Sequence, residues 1–123
     1  MFVLGIDPGV SRCGYGCVKG GSRLDVVAVG VVTTPPSDPL PSRLASLDAE
    51  LRQLLDELRP DVVAVERVFF QVNARTAMSV GQASGLALAA AAGRGCEVAQ
   101  YTPNEVKQAV VGYGSATKAQ VQA

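Results

Sequence analysis

Histidine is absent from this 123-residue sequence. Its absence excludes imidazole general bases and the common zinc sites, so any bound metal must be held by oxygen ligands. Cysteine is also scarce: Cys13, Cys17 and Cys96 are an odd number and form no CxxC pair. We therefore expect reduced, partly buried thiols, with Cys13 and Cys17 on the same face of a strand.

The sequence also lacks the signals of a membrane or secreted protein. No run reaches the roughly 18 apolar residues that a membrane span needs, and the N-terminus shows no signal peptide. Apolar residues make up 48% of the chain and charged residues 18%, which is typical of a folded domain with a real core. We expect a soluble, cytoplasmic protein with no membrane partner, folded as a single domain over residues 1–123.

Net charge is zero, but the two halves of the chain differ in sign. Residues 1–66 carry six Lys and Arg against nine Asp and Glu, whereas residues 67–123 carry five against two. The basic second half permits contact with nucleic acid but would not by itself predict it.

Apolar patterning predicts an α/β fold with a mixed five-stranded sheet flanked by helices. Strands are expected over 2–6, 14–18, 24–33, 62–65 and 97–101, and helices over 42–59 and 73–92. Ser42 is expected to cap the first helix, and a hairpin turn is expected at 20–22. Further helices should open at Thr102 and Ser115. Because the last one is still amphipathic at Ala123, we expect the sequence to be a fragment of a longer protein.

Two carboxylates close apolar strands and are the candidates for chemistry. Asp7 follows the first strand and Glu66 the fourth, and in the expected strand order both emerge at one edge of the sheet. Nearby carboxylates repel unless a cation compensates, and Mg²⁺ prefers such oxygen ligands and can activate water against a phosphodiester. In the structural alternative, Asp7 is a turn residue that accepts backbone N–H bonds, and Glu66 pairs with Arg67.

Five motifs occur in order along the chain. They are Leu4-Gly-Ile-Asp-Pro-Gly9, Gly14-Tyr-Gly16, Val65-Glu66 with Phe69, Val106-Lys-Gln with Val111-Gly112, and Ser115-Ala-Thr-Lys118. Together they resemble the RuvC family of bacterial crossover (Holliday) junction endodeoxyribonucleases. The resemblance covers essentially the whole chain and implies a ribonuclease-H-like fold.

This resemblance implies a Mg²⁺-dependent, structure-selective endonuclease that acts in DNA recombination and repair. The family forms a homodimer that resolves four-way DNA junctions by paired symmetric nicks, with the RuvA and RuvB branch-migration proteins as partners. Asp7 and Glu66 match two of its four catalytic acids and would hold Mg²⁺, with two ions per active site in the complete protein. The other two acids belong to a helix beyond Ala123. Residues 1–123 alone are therefore expected to be inactive or nearly so.

The resemblance also assigns residues that would touch DNA around the scissile bond. It places an unstacking wedge at Phe69, with Phe70 beside it. In the sequence, Arg67 and Arg75 flank the two phenylalanines. Lys107 and Lys118 become catalytic phosphate contacts that offset developing charge. Without the resemblance, the two phenylalanines would be core residues and the two lysines solvated surface charges.

Two helices carry the remaining expectations. Ser115 and Thr117 could bind phosphate at a helix N-terminus. The helix that contains Gly81-Gln-Ala-Ser-Gly85 has small residues on nearly all of its faces, so we expect a second face of it to be buried. The family uses this helix for its dimer interface.

Two other function classes remain open. Actin-like ATPases and sugar kinases also begin with a Gly-Ile-Asp strand, but that fold needs a second, similar half with its own phosphate loop, for which 123 residues leave no room. A non-catalytic DNA-binding module is the other alternative. Junction binding with and without Mg²⁺, compared with cleavage, separates a module of this kind from a nuclease.

Overall fold

Five strands and two helices make up the described part of the chain. A computed structural model describes residues 1–21, 25–67 and 74–101. In chain order the elements are β1 (Phe2–Asp7), β2 (Arg12–Lys19), β3 (Asp25–Thr33), α1 (Leu40–Leu58), β4 (Val62–Glu66), α2 (Ala74–Gly93) and β5 (Glu97–Tyr101). The predicted order of these elements is confirmed. The helices predicted to open at Thr102 and Ser115 lie outside the described residues.

The sheet is mixed and has the strand order β3-β2-β1-β4-β5. The first three strands form an antiparallel meander, whereas β4 pairs in parallel with β1 and β5 in parallel with β4. Parallel neighbours need a long crossover connection, which α1 and α2 provide. As a result, β1, β4 and β5 end at the same edge of the sheet.

The core lies between the two helices and one face of the sheet. Because side chains alternate along a strand, every second residue of the central strands faces the helices. The leucines of α1 and the alanines of α2 complete this layer. The buried cluster includes Leu4, Ile6, Cys13, Cys17, Val63 and Val65 from the sheet and Leu47, Leu51, Leu55, Ala83, Ala87, Ala90 and Ala91 from the helices.

The placement of Cys13 and Cys17 on one face of a strand agrees with the sequence-based expectation. Cys13 and Cys17 share the helix-facing side of β2 and are fully buried, more deeply than expected, whereas Cys96 is half-buried; all three are free thiols. Across residues 1–21, 25–67 and 74–101, neither helix combines the length and apolar character that a membrane span requires.

The predicted start of the first helix is wrong. α1 begins at Leu40 rather than after Ser42, and its N-cap is Pro39, which makes no side-chain capping bond. Pro41 lies in the first turn, where a missing N–H costs nothing and the fixed φ of proline suits the helix. Two prolines therefore start the helix earlier than a Ser cap would.

The opposite face of the sheet is the open one. Val3, Gly5 and Asp7 point to it from β1, and no element of the described ranges packs against it. Val29 and Val31 of the edge strand β3 are 75% and 45% exposed on this face. The side chain of Asp7 therefore emerges on the uncovered face of the sheet, away from the helices.

Candidate active site

Asp7 and Glu66 lie side by side at the ends of neighbouring parallel strands. Ile6 of β1 is opposite Val65 of β4, so the next residue of each strand continues the same register. The two carboxylates point to the open face, line the same cavity and lie close enough for the charge of Asp7 to raise the pKa of Glu66. The predicted juxtaposition of these two acids is confirmed.

The contact changes the electrostatics of Glu66. Burial raises the pKa of the Glu66 carboxyl above its ordinary value, and the hydrogen bond and negative charge of Asp7 raise it further. Asp7 is exposed and Glu66 half-buried, so water reaches the pair from one side. A shared proton or a cation would relieve the repulsion between the two groups.

The structure does not support the alternative in which Glu66 pairs with Arg67. The charged group that acts on Glu66 is the carboxylate of Asp7, and within the described ranges no ion pair joins Glu66 to Arg67. The backbone N–H of Arg67 instead donates to the carbonyl of Tyr101 at 2.6 Å, which extends the β4–β5 ladder by one bond.

The donor set of this pair fits a hard divalent cation. Both ligands are carboxylate oxygens, which Mg²⁺ prefers, and Mg²⁺ is commonly held by one or two carboxylates plus substrate phosphate. No third Asp, Glu, Cys or His joins them to form a cluster within residues 1–21, 25–67 and 74–101. The pair therefore supplies part of a metal site, with the remaining positions left to other ligands.

An open cavity of about 740 Å³ lies over this pair on the uncovered face of the sheet. Its lining includes glycines of β1, β2 and β3 together with apolar side chains, and Asp7, Glu66 and Tyr101 lie at the strand ends. A Cβ placed on Gly14, opposite Asp7 in the ladder, would lie 3.8 Å from the Cβ of Asp7. The residues that matter for the site are Gly5, Gly14, Gly16, Asp7, Glu66 and Tyr101.

A protein family matches the chain over nearly its whole length: the family model described as Crossover junction endodeoxyribonuclease RuvC covers residues 3–123. The chain belongs to the RuvC family. RuvC of Parafrankia sp. is 53% identical over a segment that spans 98% of this chain and 69% of the relative. RuvC of Salinispora arenicola is 55% identical, over 100% of this chain and 71% of the relative.

Solved RuvC structures share the fold. The structure of Thermus thermophilus RuvC in complex with a Holliday junction substrate matches with a TM-score of 0.84 and 37% identity, over 94% of this chain and 73% of that one. The predicted ribonuclease-H-like α/β class, with its mixed five-stranded sheet, is confirmed by this match and by the strand order of the sheet.

Tyr101 is a residue of the site that the motif-based reasoning missed. It ends β5 directly opposite Glu66 in the parallel ladder, and it lines the cavity with 39% of its surface exposed. The sequence did contain a signal, because Tyr101 closes the third parallel strand just as Asp7 and Glu66 close the other two. Its phenol brings a hydrogen-bond donor to the rim of a RuvC-family site.

Of the other candidate residues, Arg75 lies within the described part of the chain. Arg75 is the second residue of α2 and is exposed, which leaves it accessible to a ligand. The remaining candidates, whose roles stay predictions, lie outside the described residues; they are Phe69, Phe70, Lys107, Ser115, Thr117 and Lys118.

We expect Glu66→Gln to raise the free energy of unfolding at neutral pH when Mg²⁺ is withheld. The pKa of Glu66 is raised in the folded state, so its contribution to stability is full below its ordinary value of 4.5 and is lost as pH rises through the higher folded value. Gln carries no charge and avoids that loss. The gain should be below about 1 kcal/mol, because water screens the exposed side of the pair.

Chemical denaturation in EDTA, repeated at intervals of about one pH unit from about pH 4 to about pH 8, measures this effect. Glu57→Gln is the matched control, since Glu57 is an exposed glutamate of α1 that accepts a hydrogen bond from the side chain of Gln53. A parent and a Glu66→Gln variant with parallel pH profiles would contradict the predicted repulsion.

Proposed function

We propose that this protein is a Mg²⁺-dependent, structure-selective endonuclease that resolves four-way DNA junctions by paired symmetric nicks in recombination and repair. The observation that carries the proposal is the contact between Asp7 and Glu66 at adjacent strand ends, in a chain of the RuvC family. The Thermus thermophilus relative, whose structure holds a Holliday junction substrate, supports the choice of DNA.

Asp7 and Glu66 would hold the Mg²⁺, two ions per site in the complete protein. When bound, the ions supply an activated water and stabilise the leaving oxygen of the phosphodiester. The protein's own contribution is to hold two carboxylates in contact on rigid strand ends, with their oxygens facing the open cavity. Oxygen ligands fixed in this way need no rearrangement when the substrate arrives.

The open face gives a phosphodiester backbone room to approach the pair. Gly14 and Gly16 present no side chains there, and nothing lies within 4 Å of a Cβ placed on Gly16. We propose that DNA is contacted by Phe69 and Phe70, by Arg75, and by Ser115 and Thr117. Lys107 and Lys118 would act beside the scissile phosphate.

The proposal is tested by single-turnover cleavage of a four-way junction and of a linear duplex of the same sequences. We expect the full-length protein to cut the junction in Mg²⁺, at symmetric positions on two strands, and to leave the duplex intact. EDTA should stop cleavage but not binding. Equal cutting of both DNAs would contradict structure selectivity, and cutting in EDTA would contradict the metal requirement.

Residues 1–123 alone are expected to bind a junction better than they cut it. Two carboxylates hold Mg²⁺ poorly, and Mg²⁺ needs near-octahedral oxygen coordination. A non-catalytic DNA-binding module is the behaviour expected of this stretch by itself. Cleavage by residues 1–123 at the rate of the full-length protein would contradict this expectation.

We further propose a homodimer formed through α2, with RuvA and RuvB as partners in keeping with the family. One face of α2 packs in the core, whereas Gly85 and Ala89 on the other side are exposed. Nothing lies within 4 Å of a Cβ placed on Gly81 or Gly85. A helix with small residues on its outer face allows a second helix to approach closely.

Gly85→Leu should shift the protein from dimer to monomer in sedimentation. A leucine side chain on this outer stripe would hold the two α2 helices apart, while the core of each protomer keeps its packing. Ala49→Leu is the control, because it adds the same side chain at an exposed position of α1. If the parent is a dimer and Gly85→Leu sediments as the parent does, the interface lies elsewhere.

A further inference from the structure

Side chains from distant elements hold the short segment that follows Asp7. Val10 is 2% exposed, yet both of its backbone polar groups are bonded to side chains. Its N–H donates to Ser79 Oγ of α2 at 3.1 Å, and its carbonyl accepts from Thr34 Oγ1 at 2.7 Å. Ser79 of α2 and Thr34, which follows β3, therefore both hydrogen-bond to the backbone three residues beyond Asp7.

Arg43 of α1 completes this arrangement from a third element. Its Nε donates to Thr34 Oγ1 at 3.0 Å, and one of its terminal nitrogens, Nη2, donates to Ser11 Oγ at 2.7 Å. Thr34 is 4% exposed, and its hydroxyl both donates and accepts. Because a guanidinium is planar and presents its donors at fixed angles, Arg43 sets the positions of both hydroxyls together.

The same segment is restricted from within the sheet. A Cβ on Gly9 would overlap the carbonyl oxygen of Arg12, so the path of the chain at this point depends on glycine. Burial raises the pKa of the Cys13 thiol, and the neighbouring backbone of Gly9 partly opposes that rise. β2, the Thr34 position, α1 and α2 thus all contact the few residues after Asp7.

We propose that Thr34 and Arg43 are positioning residues of the nuclease site, which hold the segment after Asp7 so that Asp7 stays against Glu66 in the arrangement that binds a divalent metal. This inference rests on the proposed function. Neither residue touches the carboxylates. Thr34 acts through the carbonyl of Val10, and Arg43 acts through the hydroxyls of Thr34 and Ser11.

The size of the expected effect follows from the geometry of metal ligands. Removal of a residue that holds a metal ligand in position typically lowers metal affinity or activity by about 10–100-fold. Displacement of a reacting group by about 1 Å can lower the rate by about 100-fold. The bond between Thr34 Oγ1 and the Val10 carbonyl is buried, so its loss is not made up by water.

The decisive comparison is Thr34→Val against Thr34→Ser in the full-length protein. Valine keeps the shape but removes the hydroxyl, whereas serine keeps the hydroxyl. We expect Thr34→Val to weaken Mg²⁺ binding, measured by calorimetry without DNA, by about tenfold. The Mg²⁺ affinity of Thr34→Ser should stay within about threefold of that of the parent, since serine retains the hydroxyl. Single-turnover cleavage should need correspondingly more Mg²⁺ for half-maximal rate, with the Kd for the junction nearly unchanged.

Arg43→Lys provides a second, independent variant. Lysine keeps the charge but loses the fork that reaches Thr34 and Ser11 together, so we expect the same direction of change as in Thr34→Val. If Thr34→Val fails to fold, Arg43→Lys decides the question by the same measurements.

Arg94→Gln is the matched control for a purely structural role. Arg94 also ties α1 to the end of α2, through Asp56 at 2.6 Å and 3.1 Å, but it lies away from the segment after Asp7. We expect it to lower Tm without altering Mg²⁺ affinity. If Thr34→Val and Arg43→Lys likewise lower only Tm, the inference is overturned. A parent that binds Mg²⁺ but does not cut junctions would refute the proposed function and leave the inference about metal binding to its own test.

Discussion

Asp7→Asn should abolish junction cleavage while leaving junction binding largely intact. Asparagine is nearly the same size as aspartate, so the strand end and the contact with Glu66 remain. What it loses is the charge that would hold a divalent cation. Loss of one member of a catalytic unit typically costs at least about a thousandfold in rate. Attraction to phosphate is not weakened when a negative charge is removed.

Single-turnover cleavage and a parallel binding assay in the full-length protein measure the two properties separately. Glu57→Gln is the control, because it removes one negative charge from an exposed site at the C-terminal end of α1. We expect that variant to cut at the rate of the parent. An Asp7→Asn protein that still cuts within about tenfold of the parent would show that Asp7 is the turn residue of the structural alternative.

Phe69→Ala should slow cleavage of an intact four-way junction more than cleavage of one that is mismatched beside the crossover. Stacking on an aromatic side chain is worth roughly 1–3 kcal/mol per base. A wedge helps to unpair the junction, and a mismatch removes that unpairing cost in advance. Phe69 lies outside the described residues, so the expectation comes from the sequence motif.

Lys107→Ala serves as the physical contrast, because a lysine acts through charge. Its loss should flatten the salt dependence of binding by about one unit of slope, whereas Phe69→Ala should leave that slope unchanged. Single-turnover rates on the two junctions and binding at several salt concentrations distinguish the two roles. Equal slowing of Phe69→Ala on both junctions would mean that Phe69 is a core residue whose loss damages folding.

The local pattern was sufficient for most of the fold. Short apolar runs bounded by turn residues located the five strands, and leucines three and four apart located α1. The start of α1 was missed, because Ser42 matched a capping pattern while Pro39 and Pro41 determine where the helix begins. Capping preferences are local, and two prolines in one turn override them.

The sequence by itself determined that Asp7 and Glu66 close two buried strands, and the pairing of those strands brings the two acids together. Tertiary structure decided what surrounds them. Tyr101 reaches the site only through the β4–β5 register. The bonds that hold the segment after Asp7 join residues 24, 32 and 69 positions apart. Contacts over such separations follow no local period, because they depend on where three elements meet after the sheet has formed.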